Sequence, residues 1–238
     1  MQSQNSDPPN WSPLEIKLLS TIDVFVHKPA IIKKAEGNLT LLKQTIIKEL
    51  ANGPHPCPPE TDTIKGQIVR GENHKGFPFI SLDMPQMFSK TQMFTFRTLF
   101  WWGHYLIFSL ILKQNDLTSI ANNLILLKES QKFKDVQLAI SSTPWEWDKN
   151  PKNFLTLLEA SEKDIRKVIQ TVQYVKLCCF HPLNDPKFPG LNWENTGLNA
   201  WRILSKVCVN QNKSGFIPLY VGESDKTDQN DFFTQNDN

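Results

Sequence analysis

The fold of this chain depends on residues 94–112, FTFRTLFWWGHYLIFSLIL, which form its most apolar and most aromatic stretch. Within it, residues 99–112 are 14 positions without a formal charge. A helix that crosses a bilayer needs about 20 apolar residues, so the stretch is too short for a membrane span. Aromatic and β-branched side chains favour strands. The stretch therefore predicts buried β-structure at the centre of the protein.

Two arrangements of this stretch are consistent with its length. A single strand of 19 residues would exceed the usual three to ten or so, which predicts a break at Gly103 and His104. In the first hypothesis these two residues form the type II′ turn of a hairpin. The facing pairs would then be Trp102 with Tyr105, Phe100 with Ile107, and Thr98 with Ser109. In the second hypothesis one long strand is kinked at Gly103. In both hypotheses the rest of the protein must cover both faces of this stretch, because apolar residues occupy odd and even positions alike.

The N-terminal segment predicts a helical layer. Ser12 is suited to cap a helix that starts at Pro13, because its hydroxyl can accept a backbone hydrogen bond and proline fits the first turn. Apolar residues then recur at helical spacing. They are Leu14, Leu18, Ile22 and Phe25. A second helix is predicted over residues 39–50, with Asn38 as its cap.

The remainder of the chain alternates predicted strands and helices. Further strands are predicted over residues 64–70, 77–83, 136–141 and, at an edge of the sheet, 217–221. A helix is predicted from Asp116. An apolar stripe from Phe154 to Cys179 repeats at steps of three and four, which predicts one helix or two, the second starting at Ser161. The predicted fold class is α+β, with helices packed on an antiparallel sheet and a helical N-terminal layer.

Composition narrows the functional classes. The 238 residues predict one domain with flexible segments at 1–10 and 222–238. The 26 basic and 24 acidic residues are interspersed and the net charge is +2, so no patch for nucleic acid or an anionic membrane is expected. The polar N-terminus lacks a secretory signal. The four cysteines lack regular spacing, so we expect reduced thiols in a soluble cytoplasmic protein.

Six polar residues are candidates for binding a ligand. They are Arg70, Glu72, His74, Asp83, Arg97 and His104. Arg97 lies inside the apolar stretch, where a charge needs a partner, and the expected partner is Asp83 or Glu72. The favoured interpretation is a structural salt bridge. The other is a site in which Arg97 binds the carboxylate or phosphate of a ligand. For His104 a neutral, structural role is favoured over acid–base chemistry.

Motifs for metals and cofactors are absent from the sequence. Cys178-Cys179-Phe180-His181 lacks the spacing of a zinc site, and no phosphate-binding loop or nucleophile elbow is present. We therefore predict no metal and no cofactor. Trp145-Glu146-Trp147-Asp148 could stack a ligand, although paired tryptophans beside a proline more often close the end of a strand over the core.

Three segments carry a resemblance. They are residues 70–78 (RGENHKGFP), 82–85 (LDMP) and 96–103 (FRTLFWWG). These segments resemble uncharacterised hypothetical proteins of Bacteroidetes-type bacteria, which implies a bacterial cytoplasmic protein and no particular activity.

The expected function is non-catalytic binding of a small ligand or a protein partner, with assembly into a homo-oligomer as one form of it. The alternative is an enzyme acting on a small anionic substrate. In that alternative Arg97 anchors the substrate, and Asp83, Glu72 or His74 is the acid or base.

Overall fold

Residues 94–112 form a central hairpin in the computed structural model, which describes residues 10–209. Strands β3 (Met93–Trp101) and β4 (Tyr105–Lys113) pair in antiparallel fashion. The hairpin hypothesis is therefore confirmed, and the single kinked strand is wrong.

The register of the hairpin differs from the prediction by one residue. Trp101, rather than Trp102, faces Tyr105, so that Arg97 faces Ser109. The turn spans residues 101–104, with the His104 amide donating to the Trp101 carbonyl at 3.1 Å. Gly103 has φ +76°, as the third residue of a type II turn requires. A type II turn thus replaces the predicted type II′ turn and shifts the pairing.

The hairpin lies in the middle of a seven-stranded sheet, as counted over residues 10–209, in the order β1-β2-β3-β4-β7-β5-β6. Every pairing in it is antiparallel. The other strands are β1 (Gln67–His74), β2 (Phe77–Phe88), β5 (Gln137–Ala139), β6 (Phe154–Thr156) and β7 (Val175–Pro182).

Helices cover one face of this sheet. Within the described residues they are α1 (Pro13–Leu19), α2 (Asp23–Ala51), α3 (Thr118–Leu127), α4 (Glu162–Val172) and α5 (Trp193–Leu204). Apolar residues of α2 to α5 form one core cluster with alternate residues of the strands, such as Phe96, Phe108 and Leu177. The opposite face carries a second cluster around Trp101, Ile107 and Trp147. The predicted α+β class, with helices on an antiparallel sheet, is confirmed.

The second predicted helix begins much earlier than expected. Helix α2 runs without interruption from Asp23 to Ala51, so Asn38 lies inside it and is not its cap. The preceding Gly37 and Asn38 are weak helix formers, which suggested a boundary. The buried stripe of α2, which starts at Ala35 and continues to Leu50, outweighs these local preferences.

The stripe from Phe154 to Cys179 is helical only in its middle. Helix α4 begins after Ser161, whose hydroxyl accepts the Asp164 amide in a capping box, as predicted. Gln173 ends the helix with φ +57°. The residues after it form β7, which pairs with β4 and β5. The prediction of helix up to Cys179 is wrong. The spacing of apolar residues along the chain does not reveal that the last of them pair with β4.

Part of the prediction lies outside the described residues, namely the edge strand over 217–221 and the segments 1–9 and 222–238. Between residues 10 and 209, no helix has both the length and the apolar character needed to cross a bilayer.

Two helical glycines differ in the space around them. A β-carbon on Gly197 of α5 would lie 2.7 Å from Cδ1 and Cδ2 of Leu42 and 2.8 Å from Cε1 of Phe108, whereas one on Gly37 of α2 would have no atom within 4 Å. Leu42 and Phe108 are fully buried. They have no room to move aside, so Gly197 allows α5 to pack closely against α2 and the sheet.

We expect Gly197→Ala to lower the free energy of unfolding by about 1–3 kcal/mol, because the added methyl overpacks the core. Gly37→Ala is the matched control, and it should raise that free energy by up to about 1 kcal/mol through helix propensity alone. Urea unfolding measures both. Equal stabilisation by the two substitutions would contradict the close contact at Gly197.

Candidate functional site

A row of polar side chains crosses the sheet on the face opposite the helices. Residues that face each other in antiparallel pairs lie on the same side of a sheet. The register aligns seven of them, which we call the polar row: Gln67, Asp83, Arg97, Ser109, Cys178, Gln137 and Thr156. Asp83 and Ser109 are buried. Buried polar groups need hydrogen-bond partners, so the contacts of this row determine what it does.

Asp83 and Arg97 form a two-pronged ion pair at the centre of the polar row. The Arg97 Nε and Nη2 atoms donate to Asp83 Oδ1 and Oδ2 at 2.8 and 2.6 Å, and Thr95 Oγ1 donates to Oδ1 at 2.8 Å. Asp83 is 1% exposed. The predicted salt bridge is confirmed, with Asp83 as the partner. Both carboxylate oxygens are occupied within the protein.

A segment without regular secondary structure, residues 141–153, covers this face and is called the cap segment. Its Trp145 stacks on Arg97, with Cζ 4.6 Å from the ring centroid. Its Trp147 is buried within the second core cluster. The Tyr174 hydroxyl donates to the carbonyl of Ser141 at 2.6 Å. Trp147 therefore has the structural role that was favoured for it.

Lys176 anchors the cap segment and is a residue that the sequence prediction missed. It is 0% exposed. Its Nζ donates to the carbonyls of Pro144 and Glu146 at 2.9 and 2.5 Å and lies 3.3 Å from the ring centroid of Trp147. Burial, with a smaller contribution from the charge of nearby Arg97, lowers the pKa of Lys176 to about 8.

The sequence did carry a signal for Lys176. It is the one charged residue in the run Tyr-Val-Lys-Leu-Cys-Cys-Phe at positions 174–180, so the argument that identified Arg97 applies equally to it. The predicted helix over this run concealed it, because a lysine on a helix has an exposed face available.

Arg70 and Glu72 connect the edge strand β1 to helix α2. Arg70 pairs with Glu36 and Glu72 pairs with Lys28. Both pairs are substantially exposed, and exposed pairs contribute little to stability. Glu72 is therefore engaged by α2, away from Arg97.

His74 and His104 both contact the ring of Trp101. Their ring centroids are 4.9 and 3.7 Å from that of the indole, and Trp101 Nε1 donates to the His74 carbonyl at 3.2 Å. Burial, together with the charge of Lys75, lowers the pKa of His74, so its neutral form is favoured. Within the described chain the Nε2 atoms of both histidines are buried without a hydrogen-bond partner. Both imidazoles pack as aromatic rings.

Three of the cysteines are weak nucleophiles. Burial raises the pKa of Cys57, Cys178 and Cys179 to about 12, and the thiol form is unreactive compared with the thiolate. Among residues 10–209, no three histidine, cysteine or acidic side chains gather in a way that could hold a metal ion.

Four surface clefts lie elsewhere in the described chain, with volumes of about 390, 510, 540 and 630 Å³. None of the six candidate residues lines any of them. The cleft of 630 Å³ lies between α2 and the start of α5, and we call it the α2 cleft. The six candidates thus fall into three groups, and none of these four clefts joins them.

The N-terminus exposes a large apolar surface, residues 11–26, which we call the arm. Helix α1 begins with the predicted capping box of Ser12 and Glu15, but it contains no buried residue. The exposed large apolar residues of the arm are Trp11, Leu14, Ile16, Leu18, Leu19, Ile22, Val24, Phe25 and Val26. The predicted helix is shorter than expected, because α1 ends at Leu19, Ile22 lies between the helices and Phe25 belongs to α2. The described chain leaves these apolar side chains uncovered.

Replacing one partner of the Asp83–Arg97 ion pair should lower the free energy of unfolding more than replacing both partners. We expect Asp83→Leu to lower the free energy of unfolding by about 3–5 kcal/mol, because it leaves the Arg97 cation without its partner. The double variant Asp83→Leu, Arg97→Met should lose less than the sum of the two single variants. Glu36→Gln, at an exposed pair, should change stability by less than about 1 kcal/mol. Additive losses in urea unfolding would contradict an energetic coupling of the pair.

The buried lysine predicts a pH dependence. Native Lys176 releases its proton near pH 8, whereas the unfolded side chain holds it until about 10.5. In that window the unfolded chain binds more protons, so stability due to this residue rises with pH, by roughly 1–3 kcal/mol. The buried thiols act in the opposite direction above pH 9. The contribution of Lys176 is the difference in the free energy of unfolding between the wild-type protein and Lys176→Met. If this difference stays constant between pH 7.5 and 10, it argues against burial of Lys176 as a cation.

Comparisons with family models, with curated proteins and with solved structures find no match to this chain. The resemblance to Bacteroidetes-type proteins accordingly stays a prediction.

Proposed function

We propose that this chain is a non-catalytic protein-interaction protein that assembles with a second copy of itself through the arm. The observation that carries the proposal is the exposure of the arm, where Trp11 is 67% and Phe25 is 73% exposed. Single exposed apolar residues are ordinary, but a contiguous patch of this kind is typical of an interaction site.

Apolar side chains of α1 lie on more than one side of the helix. Leu14 and Leu18 lie on one side, and Ile16 and Leu19 lie on others. A stable interface buries about 800 Å² of each partner, and nine exposed large apolar residues of the arm are available to contribute to it.

The charges of the arm are of both signs. Lys17 lies between Glu15 and Asp23, so the arm lacks the run of positive charge that attracts an anionic membrane or nucleic acid. A second copy supplies acidic residues for Lys17, and opposed charges of this kind reduce binding to wrong partners.

The candidate polar residues support a role in binding rather than catalysis. Arg97 is held by Asp83, and Glu72 is held by Lys28. The carboxylate of Asp83 already occupies the Nε and Nη2 edge of Arg97, which is the edge that would bind a substrate carboxylate or phosphate in the same two-pronged way. We also propose a cytoplasmic location, which the thiols of Cys57, Cys178 and Cys179 support.

Sedimentation equilibrium of the full chain tests the assembly. The wild-type protein should sediment with twice the chain mass of 27.4 kDa. The double variant Leu14→Asp, Phe25→Asp should sediment as a monomer, because two buried carboxylates would prevent burial of the arm. Leu126→Asp, at a residue of α3 that is 61% exposed, is the matched control and should remain a dimer. A monomeric wild-type protein would refute the proposal.

A further inference from the structure

We propose that the cleft between helices α3 and α4 binds a small hydroxylated anion, such as a sugar that carries a phosphate or carboxylate group. This cleft, which we call the α3 cleft, has a volume of about 540 Å³. Pockets of about 300–1,000 Å³ are usual for small ligands. No residue of the arm lines the α3 cleft, so this inference is independent of the proposed self-association.

The α3 cleft lies where the central hairpin ends and the helices on the sheet begin. Lys113 is the last residue of β4, and the residues after it lead into α3. Helix α4 forms the opposite wall. The apolar residues of the lining, Leu117, Ala121 and Ile169, are buried and belong to the main core cluster. Core packing therefore fixes the position of both walls.

The charge of the lining distinguishes the α3 cleft from the other three clefts. The charged residues that line it are both cations, Lys113 and Arg166. Each of the other clefts is lined by charges of both signs, such as Lys34 and Glu194 in the α2 cleft. A cleft lined by one sign of charge attracts ligands of the opposite sign. Among the four clefts, the α3 cleft is therefore the one suited to an anion.

The two cations are not neutralised by acidic side chains of the described chain. The ion pairs between residues 10 and 209 include neither Lys113 nor Arg166. Asp116, in the loop beside the cleft, accepts the backbone amide of Thr118 at 2.8 Å instead. Both cations are therefore available to the anionic group of a ligand.

Arg166 is oriented by a contact with α3. Its Nη1 atom donates to Asn122 Oδ1 at 2.9 Å, and within the described residues its Nε and Nη2 atoms have no hydrogen-bond partner. This edge of a guanidinium group binds a phosphate or a carboxylate in a two-pronged way. Because Asn122 already restrains the side chain, less conformational freedom is lost when a ligand binds.

Side-chain amides supply the groups that bind hydroxyls. The amide residues that line the α3 cleft are Gln114, Asn115, Gln170 and Gln173. Each carboxamide offers a donor and an acceptor, as a hydroxyl group does. The side chains of Asn115, Gln170 and Gln173 form no hydrogen bond to any described residue. The combination of cations and free amides fits a hydroxylated anion better than a bare anion.

Gln173 has a backbone conformation that glycine adopts more easily. It ends α4 in the left-handed region, with φ +57°, where glycine is the usual residue. Residues held in such conformations are common where a ligand is clamped. A glycine at this position would suit the backbone, but it would remove one of the amides from the lining of the cleft.

Isothermal titration calorimetry of the full chain tests the class of ligand. We expect glucose 6-phosphate or glucuronate to bind, and the tighter of the two identifies the preferred anionic group. Glucose has the hydroxyls without the charge, and inorganic phosphate has the charge without the sugar. Each should bind about tenfold or more weakly than the tighter probe. The proposal is refuted if neither charged sugar binds, or if glucose or inorganic phosphate binds as tightly as they do.

Substitutions on α4 test the location of the site. Arg166→Gln should weaken binding of the tighter probe by about tenfold or more, because the charged, two-pronged contact is lost. Lys167→Gln removes the same charge from the next residue, which does not line the cleft, and it should bind as wild type does. Circular dichroism checks that both variants are folded. Equal affinities of the two variants would overturn the assignment of the site.

Gln173→Gly separates a binding role from a structural one. Glycine relieves the left-handed backbone, so the melting temperature should rise. The same variant should bind the tighter probe severalfold more weakly, because the carboxamide is lost. A residue with only a structural role would not show these opposite changes, and an affinity equal to that of wild type would exclude Gln173 from the site.

Discussion

The structure depends on the need to bury the β3–β4 hairpin on both faces. Its side chains are apolar at nearly every position, so neither face can be left in water. Helices cover one face by ordinary packing of apolar stripes. The other face is covered by the cap segment, which lacks a helix or a sheet of its own to satisfy its backbone. The architecture therefore has to attach an irregular segment to a sheet.

Two cations, the half-buried Arg97 and the buried Lys176, provide that attachment. Arg97 holds Trp145 on its guanidinium plane while Asp83 neutralises its charge. Lys176 satisfies two carbonyls of the cap segment and contacts the ring of Trp147. Each cation thus pairs with one tryptophan of the Trp-Glu-Trp sequence. A polar cluster that looks like a ligand site in the sequence functions in the fold as an anchor for a loop.

Features of the fold that depend on local interactions could be predicted from the sequence, and features that depend on contacts with other parts of the structure could not. The hairpin was one of two hypotheses and Asp83 one of two expected partners of Arg97, because length and burial constrain these features locally. The register was missed by one residue, because the type of the turn at Gly103 decides it and both types accept glycine. Strand β7 was missed because residues 175 and 179 also fit helical spacing, and only the pairing with β4 distinguishes the two. The exposure of the arm could not be predicted, because an apolar stripe has the same pattern whether its cover is the same chain or another.

The exposed arm also has a consequence for the lifetime of a single chain. A copy that has folded but has not found its partner presents ordered apolar side chains to its surroundings, much as an incompletely folded protein does. Chaperones and proteases select clients by such surfaces, so the abundance of the protein would depend on how quickly copies meet. A chain built in this way would be long-lived at concentrations that permit assembly and short-lived below them.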